Sequence, residues 1–511
     1  MKQLFYTLLA VVLLSAMPAA AQWQASDAQA VRLDGNNKGQ SLLRSIRTAD
    51  GNIILSWVRY ERTDQADETS GGYHLYMQVF NADGTQRFGQ NGLCVSNQRT
   101  SSYTTDYSLA LAPNGDILLA YWDARDDATL DHINAYIYRY TQAGQAVWGA
   151  EGIRVPVYGA ASTLFAEDSS PQWCVSGENI YLALYHTEAA DENSEQVSNC
   201  QLLRIADDGT CAWDAPIVTG YRTLLMQPCV DGDAYVVYCT DGLHLLGQRL
   251  RADGTFAWAQ EVALGEEKIS TGFYVPQPKG VTDANGDLLL TYRVLADWSG
   301  YQVINRLTKD GQVLAQAVSC NNSDEGDADM YSFATKGQSI FVAWDYTTVN
   351  NQRQLMTNLL GSDGVFLWAA DKQYGQAIAT NASWGFEPMA VLPQTNGWVV
   401  LYDDCTGWNT ANMMMAKLTD AGELLWSKQL AQADMVVESV TAAHDADNAY
   451  IFYVLESAGM YALCTNITDA HNTGIETVNS QPAAVSKRIE NGHLIVVRDN
   501  RRYTALGVQV Q

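Results

Sequence analysis

One phrase recurs along the chain at intervals of about 45 to 65 residues. It reads as an apolar strand, a tight turn on Asp-Gly or Ala-Gly, an aromatic residue four positions beyond the Gly, and a short closing strand. The copies pair Gly84 with Phe88, Gly144 with Trp148, Gly209 with Trp213, Gly254 with Trp258, Gly364 with Trp368 and Gly422 with Trp426. Gly311 belongs to the same series, with Ala315 in the aromatic place, and Asp469-Ala470 is a degenerate eighth copy. Ahead of each copy stands a second phrase, a turn rich in Gly, Asn and Asp followed by an apolar strand ending in an aromatic. Examples are Asn52-Ile53-Ile54-Leu55-Ser56-Trp57, Ser339-Ile340-Phe341-Val342-Ala343-Trp344 and Gly397-Trp398-Val399-Val400-Leu401-Tyr402. Such turn chemistry between β-branched and aromatic runs specifies hairpins. Each unit therefore reads as four antiparallel strands, for instance residues 107–112, 117–122, 133–140 and 146–155.

A four-stranded sheet of this size cannot bury both of its faces alone, so tandem copies must stack. The expected fold is all-β: a β-propeller of four-stranded antiparallel blades, eight by the phrase count, seven as the alternative because the last copy is degenerate. A linear solenoid normally has shorter repeats, and a string of sandwiches has units of about 100 residues. Gln29-Ala30-Val31-Arg32-Leu33 resembles the closing strands Gly92-Leu93-Cys94-Val95 and Gly152-Ile153-Arg154-Val155, and is expected to complete the last blade. The repeated Trp is assigned a packing role between blades rather than a ligand.

The chain opens with Met1-Lys2, a largely apolar run to Met17, and Pro18-Ala19-Ala20-Ala21, the order of a cleaved secretory signal. The division expected is residues 1–21 signal peptide, 22–478 propeller, and 479–511 linker with a C-terminal tail. No later run has the length of a membrane span, which needs about 20 apolar residues. The mature chain is thus expected to be exported, to the periplasm, the cell surface or the medium, and monomeric. A net charge of −26, from 57 acidic against 31 basic residues, disfavours nucleic acid and anionic membranes, both of which need a positive patch. The 9 cysteines are too sparse for a disulfide-built scaffold. Cys200 with Cys211, or Cys229 with Cys239, lie near enough to bridge neighbouring strands, though neither pair stands opposite across its turn.

The segment Thr419-Asp420-Ala421-Gly422-Glu423-Leu424-Leu425-Trp426 resembles the tryptophan-docking phrase of PQQ-type propellers. That resemblance implies the fold; the vicinal cysteine pair of the PQQ-dependent dehydrogenases has no match here, and no cofactor is expected. The Asp-boxes of sialidases have a similar Asp-to-Trp distance, but their Gly comes two residues after the Asp, whereas here it follows directly. The wording Leu119-Ala120-Tyr121-Trp122-Asp123-Ala124-Arg125, with Tyr136-Ile137-Tyr138 and Gly144 to Trp148, is similar to repeats of secreted bacterial propellers. The tail, with Gly492-His493-Leu494-Ile495-Val496-Val497 and Tyr503-Thr504-Ala505-Leu506-Gly507, is similar to the end of sorting-type domains in Bacteroidetes. It reads equally as a final hairpin.

The turns between first and second and between third and fourth strands are short, while the second-to-third loops and the connections between blades are long. An antiparallel meander puts both long classes on one face, where binding residues usually sit. One such loop crowds Asp123, Arg125, Asp126, Asp127 and Asp131; another holds Asp403, Asp404 and Trp408. These residues suit a sugar or peptide platform, with Trp408 or Trp298 stacking and carboxylates accepting hydrogen bonds from hydroxyls. Oxygen-rich loops also make calcium possible, although none has the spacing of an EF-hand. The leading expectation is a binding module for a glycan or protein; the alternative is a glycan-active hydrolase or lyase built on paired carboxylates. Neither Gly-x-Ser-x-Gly nor His-Glu-x-x-His occurs.

Overall fold

The computed structural model describes residues 30–33, 39–62, 71–98, 100, 106–126, 133–156, 166–188, 197–220, 222–240, 243–265, 268–269, 278–294, 301–319, 326–348, 350–361, 367–368, 375–381, 384–408, 410–433, 437–455, 459–468, 486–490, 493–498, 501–504 and 509–510. The expected signal segment, Asp127, Asp131, Trp298, Cys320 and the Asp469-Ala470 turn lie outside them. Contact density divides the chain into residues 1–469 and 470–511. The second unit is an antiparallel meander of Ser486–Glu490, His493–Arg498, Arg501–Thr504 and Gln509–Val510.

The first unit consists of eight four-stranded antiparallel sheets. Blade 1 is Gln40–Arg47, Ile53–Arg62, Gly71–Phe80 and Leu93–Ser96; blade 2 is Tyr107–Leu111, Ile117–Asp123, Asn134–Tyr140 and Ile153–Arg154. Blades 3, 4 and 5 span residues 166–219, 222–263 and 279–319. Blade 6 is Gly326–Lys336, Ser339–Thr348, Arg353–Leu360 and Gln376–Asn381; blade 7 is Phe386–Gln394, Gly397–Gly407, Thr410–Leu418 and Leu424–Ala433. Blade 8 takes Val437–His444, Asn448–Leu455 and Gly459–Asn466, and its fourth strand is Val31–Arg32, from before blade 1. The eighth phrase is degenerate because the chain's early segment supplies the strand it lacks.

Successive residues of a strand point to opposite faces, so each second strand feeds two seams. Ile53, Leu55 and Trp57 pack against Phe452 and Val454 of blade 8, while Ile54 and Val58 pack against Ile117, Leu119 and Tyr121 of blade 2. A separate apolar cluster fills every seam, 8–1 included, and that closes the ring at eight. First strands of neighbouring blades touch one another and so line the axis. At the closing seam Ser439 Oγ accepts the Leu43 N–H at 2.9 Å, and Ser45 and Thr441 hydroxyls meet at 2.8 Å.

The repeated Trp does what its spacing implies. Trp148, Trp213 and Trp368 each donate their indole N–H across a seam, to the carbonyls of Asp207, Ala252 and Asp420 at 2.8, 2.9 and 3.0 Å. Each ring lies on the turn Gly of the next blade: a Cβ on Gly422, which holds φ +84°, would stand 2.6 Å from Trp368. Seating Trp148 interrupts the fourth strand of blade 2. Residues 146–155 were expected as one strand; instead Ala146 makes an isolated bridge to Tyr140, and pairing resumes at Ile153–Arg154. Blade 5, with Ala315 in the Trp place, reaches blade 6 through Arg306, 2% exposed, which donates to the Gln338 carbonyl at 3.1 Å and to Asp283 and Asp287.

The described cysteines are all free thiols, Cys200, Cys211, Cys229 and Cys239 among them. Among the described residues, no helix is long and apolar enough to cross a membrane.

Candidate functional site

The second strand of blade 7 runs from Gly397 to Gly407, five residues past the apolar phrase that ends at Tyr402, toward the long-loop face. Alternation along it separates two adjacent acids. Asp403 turns inward and is 0% exposed, while Asp404 is partly exposed. Asp403 Oδ2 accepts the N–H of Val437, the first residue of blade 8, at 3.3 Å; its Oδ1 is buried with no hydrogen-bond partner. Glu387 stands directly opposite in the ladder. Burial, reinforced by the Glu387 and Asp404 charges and opposed by the Val437 N–H, pushes the Asp403 carboxyl up to about 7. Burial also raises Asp404, against the hydrogen bond it receives from Asn381.

That hydrogen bond belongs to a small framework. Asn381 Nδ2 donates to Asp404 Oδ1 at 2.8 Å and to the Cys405 carbonyl at 2.6 Å, and its Oδ1 accepts the Trp384 N–H at 3.4 Å. Across the ladder from Asn381 is Arg353, whose guanidinium pairs with Asp345. Asp345 occupies in blade 6 the place of Asp403 in blade 7, and likewise accepts the first N–H of the next blade, Phe386, at 3.2 Å. Gly385 must lack a side chain here: its φ is +89°, and a Cβ would lie 2.7 Å from Arg353 Nη2. The Cys405 N–H bonds the Gly385 carbonyl at 3.1 Å, tying the incoming loop to the second strand. Beyond it the hairpin closes with Thr406 Oγ1 donating to Thr410 Oγ1 at 3.0 Å. Trp408 stands at that tip 82% exposed, and Trp384 is 46% exposed.

The blade 2 loop is built differently. Asp123 is fully buried, and both of its oxygens are taken by Arg125, Oδ1 from Nε at 2.9 Å and Oδ2 from Nη2 at 2.7 Å. Arg125 also donates to Tyr138 Oη at 2.5 Å and lies 3.7 Å above the Tyr136 ring. Asp126 accepts the Tyr136 hydroxyl at 2.5 Å and pairs with Arg154 at 3.3 Å. Burial raises Asp123 despite the Arg125 bonds, and burial with the Asp126 hydrogen bond raises Tyr136. Blade 1 repeats the device: Arg59 lies 4.0 Å above the Tyr76 ring, and Glu61 accepts from both. These charges satisfy one another. Of the residues singled out in the sequence, Asp403, Asp404 and Trp408 lie along one strand of blade 7 and its tip, and Asp123, Arg125 and Asp126 form a cluster in blade 2.

Arg353, Asn381, Trp384 and Glu387 did not emerge from the sequence. The one available signal was an acid directly after the aromatic that ends the strand phrase, in Trp344-Asp345 and Tyr402-Asp403. Among the described residues, no group of three or more His, Cys, Asp or Glu side chains has the geometry to hold a metal ion.

The architecture defines an eight-bladed, all-β propeller. No family model and no curated protein matches the chain. Similar solved structures include a Hadza microbial sialidase, with 13% identity, TM-score 0.33, and coverage of 77% of this chain and 73% of that one. A polysaccharide lyase gives 10% identity, TM-score 0.40, and coverage of 89% and 96%. A puromycin hydrolase gives 14% identity, TM-score 0.42, and coverage of 84% of this chain and 61% of that one.

Proposed function

We propose that this propeller is an exported binding module that holds a glycan on its long-loop face at blade 7. The observation that carries the reading is two exposed indoles, Trp408 and Trp384, on segments tied together by Asn381 and the Gly385–Cys405 bond. A sugar ring presents an apolar face to stack on an indole and hydroxyls around its edge. Asp404 supplies acceptor capacity beyond the bond from Asn381, and Arg353 supplies donors. A rigid platform of this kind binds without large rearrangement. Export places such a module in the periplasm, on the cell surface or in the medium, where polysaccharide is accessible.

The test is a glycan array and polysaccharide pull-down with the chain from Gln22, with and without calcium. Loss of at least about tenfold in affinity on Trp408→Ala, equivalent to about 1.4 kcal/mol of stacking, is expected. Unchanged binding in Trp408→Ala, or retention of no glycan at all, would sink the reading in favour of a protein ligand. One observation favours a second reading, a glycan-active hydrolase or lyase: Glu387 and Asp403 face each other across the ladder, and paired carboxylates are the usual machinery of glycosidic cleavage. Cleavage by the wild type that disappears in Glu387→Gln while binding persists would support it.

A further inference from the structure

Asp403 and Asp345 do the same job in adjacent blades with different electrostatics. Each is nearly or fully buried, and each receives the first backbone N–H of the following blade, Val437 at 3.3 Å and Phe386 at 3.2 Å. Asp345 has a guanidinium beside it. The blade 7 position equivalent to Arg353 is Ala411, paired with Cys405 as Arg353 is with Thr347, and it is 1% exposed. Around Asp403 are Glu387 from the first strand, Cys405 on the same side of its own strand, Met413 from the third strand and Val437 from blade 8, with the Asp404 carboxylate next in sequence on the other side. Two carboxylates directly opposite on one sheet face repel when both are ionised. An oxygen buried without a partner makes a second buried charge costlier still. The way to relieve both is for Asp403 to keep a proton.

We propose that Asp403 keeps its proton up to neutral pH, and that its loss loosens the seam between blades 7 and 8. With the proton in place, Asp403 is neutral, tolerates burial and holds the Val437 N–H. Once ionised, it has no cation among the described residues facing it, and hydration is available only if the seam opens. The carboxyl midpoint near neutrality agrees with this geometry. Asp345 also has an acid opposite it in register, Asp329, but there Arg353 supplies a cation, so the 6–7 seam lacks the switch and serves as an internal control. The device needs no ligand, so it stands or falls separately from the glycan reading.

The experiment is hydrogen exchange on the full chain, followed at the Val437 and Phe386 amides from below about pH 6 to above about pH 8 and corrected for intrinsic exchange. Val437 protection is expected to fall at least about threefold as pH rises through neutrality, while Phe386 shows no step. Asp403→Asn keeps the shape and the acceptor and should abolish the step; Glu387→Gln removes the like charge and should lower the midpoint of the step. Val437 tracking Phe386 at every pH, or a step that survives in Asp403→Asn, would overturn the proposal. If Asp403→Asn does not fold, an unchanged midpoint in Glu387→Gln overturns it alone.

Discussion

At the scale of single residues, the difference between Asp403 and Asp123 decides what each does. Both are fully buried acids near the long-loop face, but Asp123 is clamped by Arg125 and Asp403 has an acid opposite it. The folded Asp403 carboxyl lies near 7, above its ordinary value of 3.8, so between those values the folded chain holds a proton that the unfolded chain has released. Its contribution is fully present below about pH 4 and is lost as pH rises to about 7, on the order of 4 kcal/mol. Asp403→Asn removes that slope. The stability difference, variant minus wild type, is therefore expected to grow between about pH 4 and pH 7 and to level off above, as read by urea unfolding at a series of pH values. This contrast was not legible in the sequence. Asp123 and Asp403 both appear as loop acids, and the partners that separate them, Tyr136 and Tyr138 for the Arg125 clamp and Glu387 for Asp403, come from neighbouring strands whose register the sequence does not print. Trp408 was legible, because a large aromatic past the end of an apolar strand phrase has no core left to enter.

At the scale of the element, the Gly-to-Trp spacing proved informative because two physical demands meet in it. The turn needs a residue at positive φ, and the preceding blade's indole needs a surface without a Cβ to lie on. Gly422 serves both, so Gly422→Ala is expected to cost about 1–3 kcal/mol from strain and overlap with Trp368. Trp368→Ala loses the buried ring and its bond to the Asp420 carbonyl, and about 3 kcal/mol is expected. The two losses should be markedly less than additive in the double variant, since both break one contact; chemical unfolding of the two single variants and the double variant measures this. Strand extents were less legible. The first three strands of blade 2 fall close to the expected positions, but the fourth breaks where Trp148 leaves it for the neighbouring blade, and propensity carries no trace of a contact made across a seam.

At the scale of the whole ring, closure rests on a short strand from before blade 1. Val31–Arg32 pairs with Gly459–Asn466, Leu33 donates its N–H to the Met460 carbonyl at 2.8 Å, and the Leu33 side chain enters the 8–1 cluster. A chain that begins at Gln40 lacks all three and leaves the third strand of blade 8 as an edge. Such a chain is expected to lose about 2–4 kcal/mol and to self-associate through that edge, as read by thermal unfolding and light scattering. Closure was legible because Gln29-Ala30-Val31-Arg32-Leu33 matches other closing strands, and the count of eight followed from the number of repeated phrases.

The same strand sets an order of events in time. Val31 and Arg32 are synthesised ahead of every blade, yet their partner, Gly459–Asn466, is among the last parts of the ring to be made. Seven blades can form and dock as they appear, each on its predecessor, but the first strand must wait through the synthesis of the rest before it has anything to pair with. Until then the assembly is an open arc with sticky ends at blades 1 and 8. That interval is when the chain is most exposed to proteolysis and to pairing with the wrong copy.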